Sequence, residues 1–148
     1  MNNKIKNLLD EVKRIESRYG KFDYTSCTDQ DIDKLDNWLK VKLGDLAPNL
    51  SDFIGFCKVA DGFNANGVFI FSINPDKNEF VNIYVKNEHW WEVMVENKYL
   101  LIGNDSISFY ALDLSSGGYC ILDSACGDLI EEVDDFEALL EIALSKAL

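Results

Sequence analysis

The stretch YLLIGNDSISFYALDLSSGGYCILDSACGDLI, residues 99–130, decides the fold. It contains the apolar runs Tyr99–Ile102, Ile107–Leu112, Tyr119–Leu122 and Leu129–Ile130. Their aliphatic, aromatic and β-branched side chains suit a pleated, half-buried surface. Between them stand Asn104-Asp105, Ser115-Ser116-Gly117-Gly118 and Cys126-Gly127-Asp128, all residue types that favour tight turns. Connections this short join antiparallel neighbours, because a parallel pair needs a crossover of about a dozen residues or more. The region therefore predicts a β-meander.

Upstream of the meander, FCKVADGFNANGVFIFSI (Phe56–Ile73) turns a helix into a strand. Pro48 stands at the expected helix entrance, Leu50, Phe53, Ile54 and Cys57 form its apolar stripe, and Ala60-Asp61-Gly62 ends it. Asn66-Gly67 supplies positive φ angles. Val68–Ile73 is too apolar for a solvent-facing loop and is expected as a central strand. Asn74-Pro75-Asp76 makes a turn. Beyond it Phe80, Ile83, Tyr84, Trp90 and Trp91 fit a helical face, while Val81, Ile83, Tyr84 and Val85 suit a strand equally. The segment is read as a helix.

Nearer the N-terminus, Ile5, Leu8, Leu9, Val12 and Ile15 make an amphipathic helix that Gly20 is expected to close in the left-handed conformation. Thr28 caps a second helix, with Asp29, Asp31 and Asp33 at its positive end and Ile32, Leu35, Trp38 and Leu39 along one face; Gly44 ends it. At the other end of the chain, Asp134 with Glu137 resembles a capping box for a last helix bearing Phe136, Leu139, Leu140 and Ala143. Helices before and after one block of strands predict an α+β fold, a single domain over residues 1–148 with a mostly antiparallel twisted sheet.

A chain of 148 residues suits one domain. A composition of 47% hydrophobic and 12% aromatic residues excludes the disordered class. Charges interrupt the first twenty residues too often for a signal peptide or a membrane span, so a cytoplasmic location without membrane contact is expected. Four cysteines with no Cys-x-x-Cys pair, and His89 as the single histidine, point to reduced thiols and no metal. A net charge of -12 argues against direct nucleic-acid binding, which needs clustered Lys and Arg. It favours a basic protein partner, though acidity also serves solubility.

Motifs for chemistry fail in turn. Gly62 and Gly67 lie between a helix and a strand, the reverse of a phosphate cradle. Asn64 to Gly67 resembles the middle of a calcium loop, but Gly62 and Ile73 occupy the positions that need carboxylates. A nucleophile would depend on His89, and paired carboxylates carry no signal among 26 Asp and Glu residues. No catalytic residue, cofactor or metal is assigned, and the chain is read as a non-enzyme. Adjacent Trp90 and Trp91 cannot face the same way, so one is expected at the surface. It either covers a helix edge or anchors a partner within the acidic surroundings of Glu88 and Glu92.

The order of these motifs resembles the SUKH superfamily of bacterial immunity proteins and fungal cell-wall synthesis regulators. The resemblance rests on the Thr28–Asp31 helix start, LAPNLSDFIGFCKVADGF, GVFIFSI, YLLIGNDSISFYALDLSSGGYCILD and DDFEALLEIAL. Ala47 between Leu46 and Pro48, and Asp61 where asparagine is common, depart from the family pattern. The resemblance implies a sheet of about six strands packed with helices, and a protein that binds and neutralises a toxin domain. A regulatory or scaffold module is the alternative, and a small hydrolase a more distant one. The partner-binding candidates, Asp61, Glu88, Trp90, Trp91, Glu92 and Asp105, come from the local reading alone.

Overall fold

The computed structural model describes residues 1–20 and 24–148. The meander forms β3 (Tyr99–Asn104), β4 (Ser108–Asp113), β5 (Tyr119–Asp123) and β6 (Leu129–Val133). Before it lie β1 (Asn64–Ala65) and β2 (Val68–Ile70), and the six strands form one antiparallel sheet in chain order. Two of its turns share one chemistry. Asp113 and Asp123 each accept hydrogen bonds from turn amides, at 2.9 Å from Ser115 N and 2.7 Å from Ala125 N. Gly117 and Gly127 then reverse the chain at φ 76° and 77°, which side chains disfavour.

The helices are α1 (Asn3–Glu16), α2 (Asp29–Leu43), α3 (Ser51–Ala60), α4 (Ile83–Met94) and α5 (Phe136–Lys146). The Thr28–Asp31 capping box opens α2, and Gly44 closes it at φ 55°. Several expected ends move. α1 is capped by Ser17 and stops before Gly20. Pro48 lies upstream of α3, where the Asn49 side chain accepts from Ser51 N at 2.9 Å. Asp135 caps α5, accepting from Ala138 N at 2.8 Å in place of Asp134. Glu137 accepts from Asn2 Nδ2 at 2.7 Å and so joins α5 to the start of α1. Phe80 precedes α4 and is exposed.

Asn66 at φ 48° and Gly67 at φ 79° form the two-residue loop between β1 and β2. Positive φ at both positions is the hairpin geometry that matches strand twist. The expected central strand is β2, second in the sheet order. It is shorter than expected because after Phe71, whose N–H donates to Ile102 O at 2.9 Å, Ser72 leaves the ladder and bridges Asn82.

Register fixes which side chains share a face. Tyr99 and Leu101 align with Asp113 and Ala111, Phe109 with Leu122, Ala111 with Cys120, and Cys120 with Glu132. That face meets α4. The opposite face, with Tyr110, Ile121 and Tyr119, meets α5, whose Phe136 lies 5.7 Å from the Tyr119 ring and 6.1 Å from Phe53 of α3. The sheet is therefore a middle layer, covered on the α5 side except at exposed Glu131 of β6, and partly covered on the other. Among the described residues no helix is long and apolar enough to cross a membrane.

Candidate functional site

The first candidate, Asp61, stands at the end of α3, where Gly62 turns the chain at φ 76°. Only 3% of it is exposed. Its carboxylate accepts from Ser72 Oγ at 2.6 Å and from Ile73 N at 3.0 Å. Burial raises its pKa, although those two bonds pull the other way. Asp61 ties the helix end to the strand it precedes and offers a partner almost no surface. Beside it, burial and then the Asp61 charge push the Cys57 thiol well up, so it is a poor nucleophile.

α4 begins where the Asn82 side chain accepts from Tyr84 N and Val85 N. Successive residues on it point about 100° apart, and each tryptophan finds its own interior. Trp90 meets Phe109 of the sheet edge-on at 5.0 Å. Trp91 stacks on Trp38 of α2 at 5.4 Å and donates its Nε1–H to Tyr99 O at 2.8 Å. They are 9% and 8% exposed, which corrects the expectation that one reaches the surface. α4 lies in a wedge between sheet and α2, so two of its sides are interior. Between them, buried Asn87 donates to Ile83 O and Leu101 O and accepts from Leu101 N at 2.7 Å.

Glu88 is exposed but engaged, accepting from Trp38 Nε1 at 3.0 Å and pairing with Lys42 at 3.4 Å. Glu92 and the single histidine, His89, are exposed. Asp105 organises the β3–β4 turn, accepting from Ile107 N at 2.9 Å, Ser108 N at 2.8 Å and Tyr110 Oη at 2.6 Å. It also accepts from Lys146 Nζ of α5 at 2.9 Å. Burial pushes its carboxyl up, but Tyr110, Lys146 and the turn amide together hold it below the usual range. The six candidates thus lie at the α3 corner, on α4 and at the β3–β4 turn, and do not form one constellation.

The structure instead gathers a depression on the partly covered face of the sheet. A cavity of about 340 Å³ opens among Trp90, Met94, Tyr99 and Leu129. A second, of about 230 Å³, shares Tyr99 and Leu129 and continues over Cys120 to Val133. Glu96, Asp128, Asp113 and Glu132 line the pair, together with Lys98, whose Nζ stands 5.3 Å over the Tyr99 ring. Burial drives the Cys120 thiol to about 12, which leaves it protonated and inert. Aromatic and aliphatic side chains mixed with four carboxylates and one lysine suit non-covalent capture of a largely basic surface.

Sequence reading missed this depression because four strands and a helix must come together to make it. Its one local signal is Leu129-Ile130 directly before Glu131-Glu132. A larger cavity of about 520 Å³ lies between α3 and α5. Two of its acidic side chains, Asp135 and Glu137, are already committed to the starts of α5 and α1. Among the described residues no group of three or more His, Cys, Asp or Glu is placed to hold a metal ion. No family model matches this chain, and no curated protein matches it.

Proposed function

We propose that the protein is an immunity-type binding protein that occupies and neutralises a basic toxin effector domain without chemistry of its own. The observation that carries this reading is the open depression beside α4, lined by Trp90, Met94, Tyr99 and Leu129 and by Glu96, Asp113, Asp128 and Glu132, with Lys98 as the one basic side chain among its lining residues. A net charge of -12 extends the same sign over the whole molecule and would steer a basic domain towards it. The order of the Thr28 cap, the Asp61 corner and the meander, which resembles the SUKH superfamily, supports the same function.

The test is capture of partners from the native cell lysate at low salt, followed by co-expression of the captured protein with this one. The expected result is a single basic effector domain, toxic when expressed alone and harmless when co-expressed. Its association rate should fall as added salt shortens the Debye length from about 10 Å at 0.1 M to about 3 Å at 1 M. A set of non-toxic cellular proteins would overturn the immunity reading in favour of a regulatory module. Turnover of a substrate that is lost in His89→Ala would overturn it in favour of a hydrolase.

A further inference from the structure

β6 is the last strand of the sheet, and its Leu129 and Ile130 are 49% and 55% exposed. Its register with β5 shifts between Leu129 and Glu131, leaving Ile130 as an extra, bulged residue. Asp128, Glu131, Glu132 and Asp134 surround these apolar side chains, and no lysine or arginine lies between Asp128 and Lys146. Edge strands are commonly defended against pairing by bulges and charges, and lysine is the usual charge. Here the defence is acidic, so its effect depends on the sign of the approaching chain. A second copy of this protein pairing along β6 would set Glu131 and Glu132 against carboxylates of its own kind, which is unfavourable. A basic strand would find the same row attractive.

We infer that β6 and the adjoining depression dock an extended, lysine- or arginine-rich segment of the partner protein, which adds to the sheet beyond β6. This rests on the binding reading above and specifies where and how that binding occurs. Backbone hydrogen bonds to the side of β6 that pairs with no strand among the described residues supply part of the affinity, and alternate side chains supply the selectivity. An apolar side chain of the segment enters the cavity among Trp90, Met94, Tyr99 and Leu129. Its basic neighbours point to the other face and meet Glu131, the partner of Ile121, while Asp128 and Glu132 add their charge around the cavity. The bulge at Ile130 limits the added strand to a short one, so charge and the apolar insertion carry much of the recognition.

The probe is a synthetic peptide of about ten residues, the length of a long strand, alternating Lys and Val. The control keeps every Lys and replaces each Val by Pro, so that it carries the same charge but cannot join a sheet. Both are titrated at low salt into the ¹⁵N-labelled full chain, with amide hydrogen exchange followed along β6. The alternating peptide is expected to bind at least about tenfold more tightly than the control, which corresponds to about 1.4 kcal/mol. It should also slow exchange in β6 and shift resonances of Tyr99 and Leu129. The double variant Glu131→Lys, Glu132→Lys should weaken it by a further factor of about ten. Leu129→Ser should do so without reversing any charge.

Equal binding of the two peptides, binding centred on the acidic start of α2, or no binding would each overturn the docking edge. The underlying reading fails separately. A toxin domain that binds the wild type and the double-lysine variant alike removes the edge and leaves immunity standing. Docking of the peptide on β6, in a protein whose captured partners are not toxic, leaves the edge and removes immunity.

Discussion

The two edges of the sheet are built on opposite plans. β1 is two residues long, and the Tyr24 hydroxyl takes up both backbone polar groups of Asn64, accepting from its N–H at 2.9 Å and donating to its carbonyl. The Tyr24 ring stacks on Phe63 at 5.5 Å, which holds this clasp in place. β6 is five residues long, and its flanking acids make no ion pair among the described residues. The backbone of β1 is thus tied down by a side chain, whereas the acids beside β6 enter no ion pair among the described residues. The proposed docking would place recognition at the edge opposite the one that side chains tie down, and substitutions should separate the two.

The largest effect is expected at Gly103 of β3, which pairs with Ile70 of β2, the strand next to the closed edge. A Cβ there would stand 2.5 Å from Phe69 O and 3.0 Å from the Tyr110 ring, where neither backbone nor buried ring can yield cheaply. Gly103→Ala should cost about 3 kcal/mol, at the upper end for overpacking. Urea denaturation measures it. A loss below about 1 kcal/mol would mean that β2 is held loosely and that the closed side is not the stable one.

Next is Asp61→Ala, which leaves Ser72 Oγ and Ile73 N without their buried acceptor and should cost about 2 kcal/mol. Charge adds a second, sharper comparison with Asp105. Asp61 has a folded-state pKa raised by burial, so its contribution is complete below the unfolded value of about 3.9 and is lost as pH rises through the folded value. Asp105, although burial pushes it up, is held lower on balance by Tyr110 and Lys146, so its contribution is present above that unfolded value and is lost as pH falls through the folded one. The stability advantage of wild type over Asp61→Asn should shrink as pH rises above about 4, and its advantage over Asp105→Asn should shrink as pH falls below about 4. Thermal unfolding across the acid range tests both; two advantages that shrink in the same direction would contradict one assignment.

These residues also show where the sequence could be read and where it could not. The meander was legible because its apolar runs and turn residues agree, and the Thr28–Asp31 box and Gly44 mark α2 by local chemistry alone. β1 was not, since Asn64 and Ala65 have no strand character of their own and pair only because Asn66-Gly67 forces the chain back. Trp90 and Trp91 were misjudged because helical geometry separates them, while burial of both depends on Trp38 and Phe109, distant in the chain. Asp61 and Asp105 were partner-binding candidates on local grounds, and each is fastened by partners that only the folded chain supplies.

At the closed edge itself, Tyr24→Phe keeps the ring and removes the clasp. Asn64 is exposed, so water replaces the hydroxyl, and the cost should be only about 0.5–1 kcal/mol. The sensitive reading is the Asn64 amide, whose hydrogen exchange should accelerate while that of the β3 amides stays unchanged. Accelerated exchange reaching β3 would show that Tyr24 holds the sheet and does not merely close its edge.

The smallest effect on stability, and the one that decides the comparison, is expected at the open edge. Glu132→Ala removes a carboxylate that faces the depression and forms no ion pair among the described residues, so unfolding should change by less than about 0.5 kcal/mol. Binding of the alternating lysine peptide should nevertheless weaken, and should become less dependent on salt, because one attractive charge has left the rim. A stability loss above about 1 kcal/mol would place Glu132 among the structural ties, like Asp61 and Asp105, and the division between the two edges would disappear. Unchanged stability with unchanged binding would confine the acids of β6 to keeping copies of the protein apart, which is the one role an open edge can have without a partner.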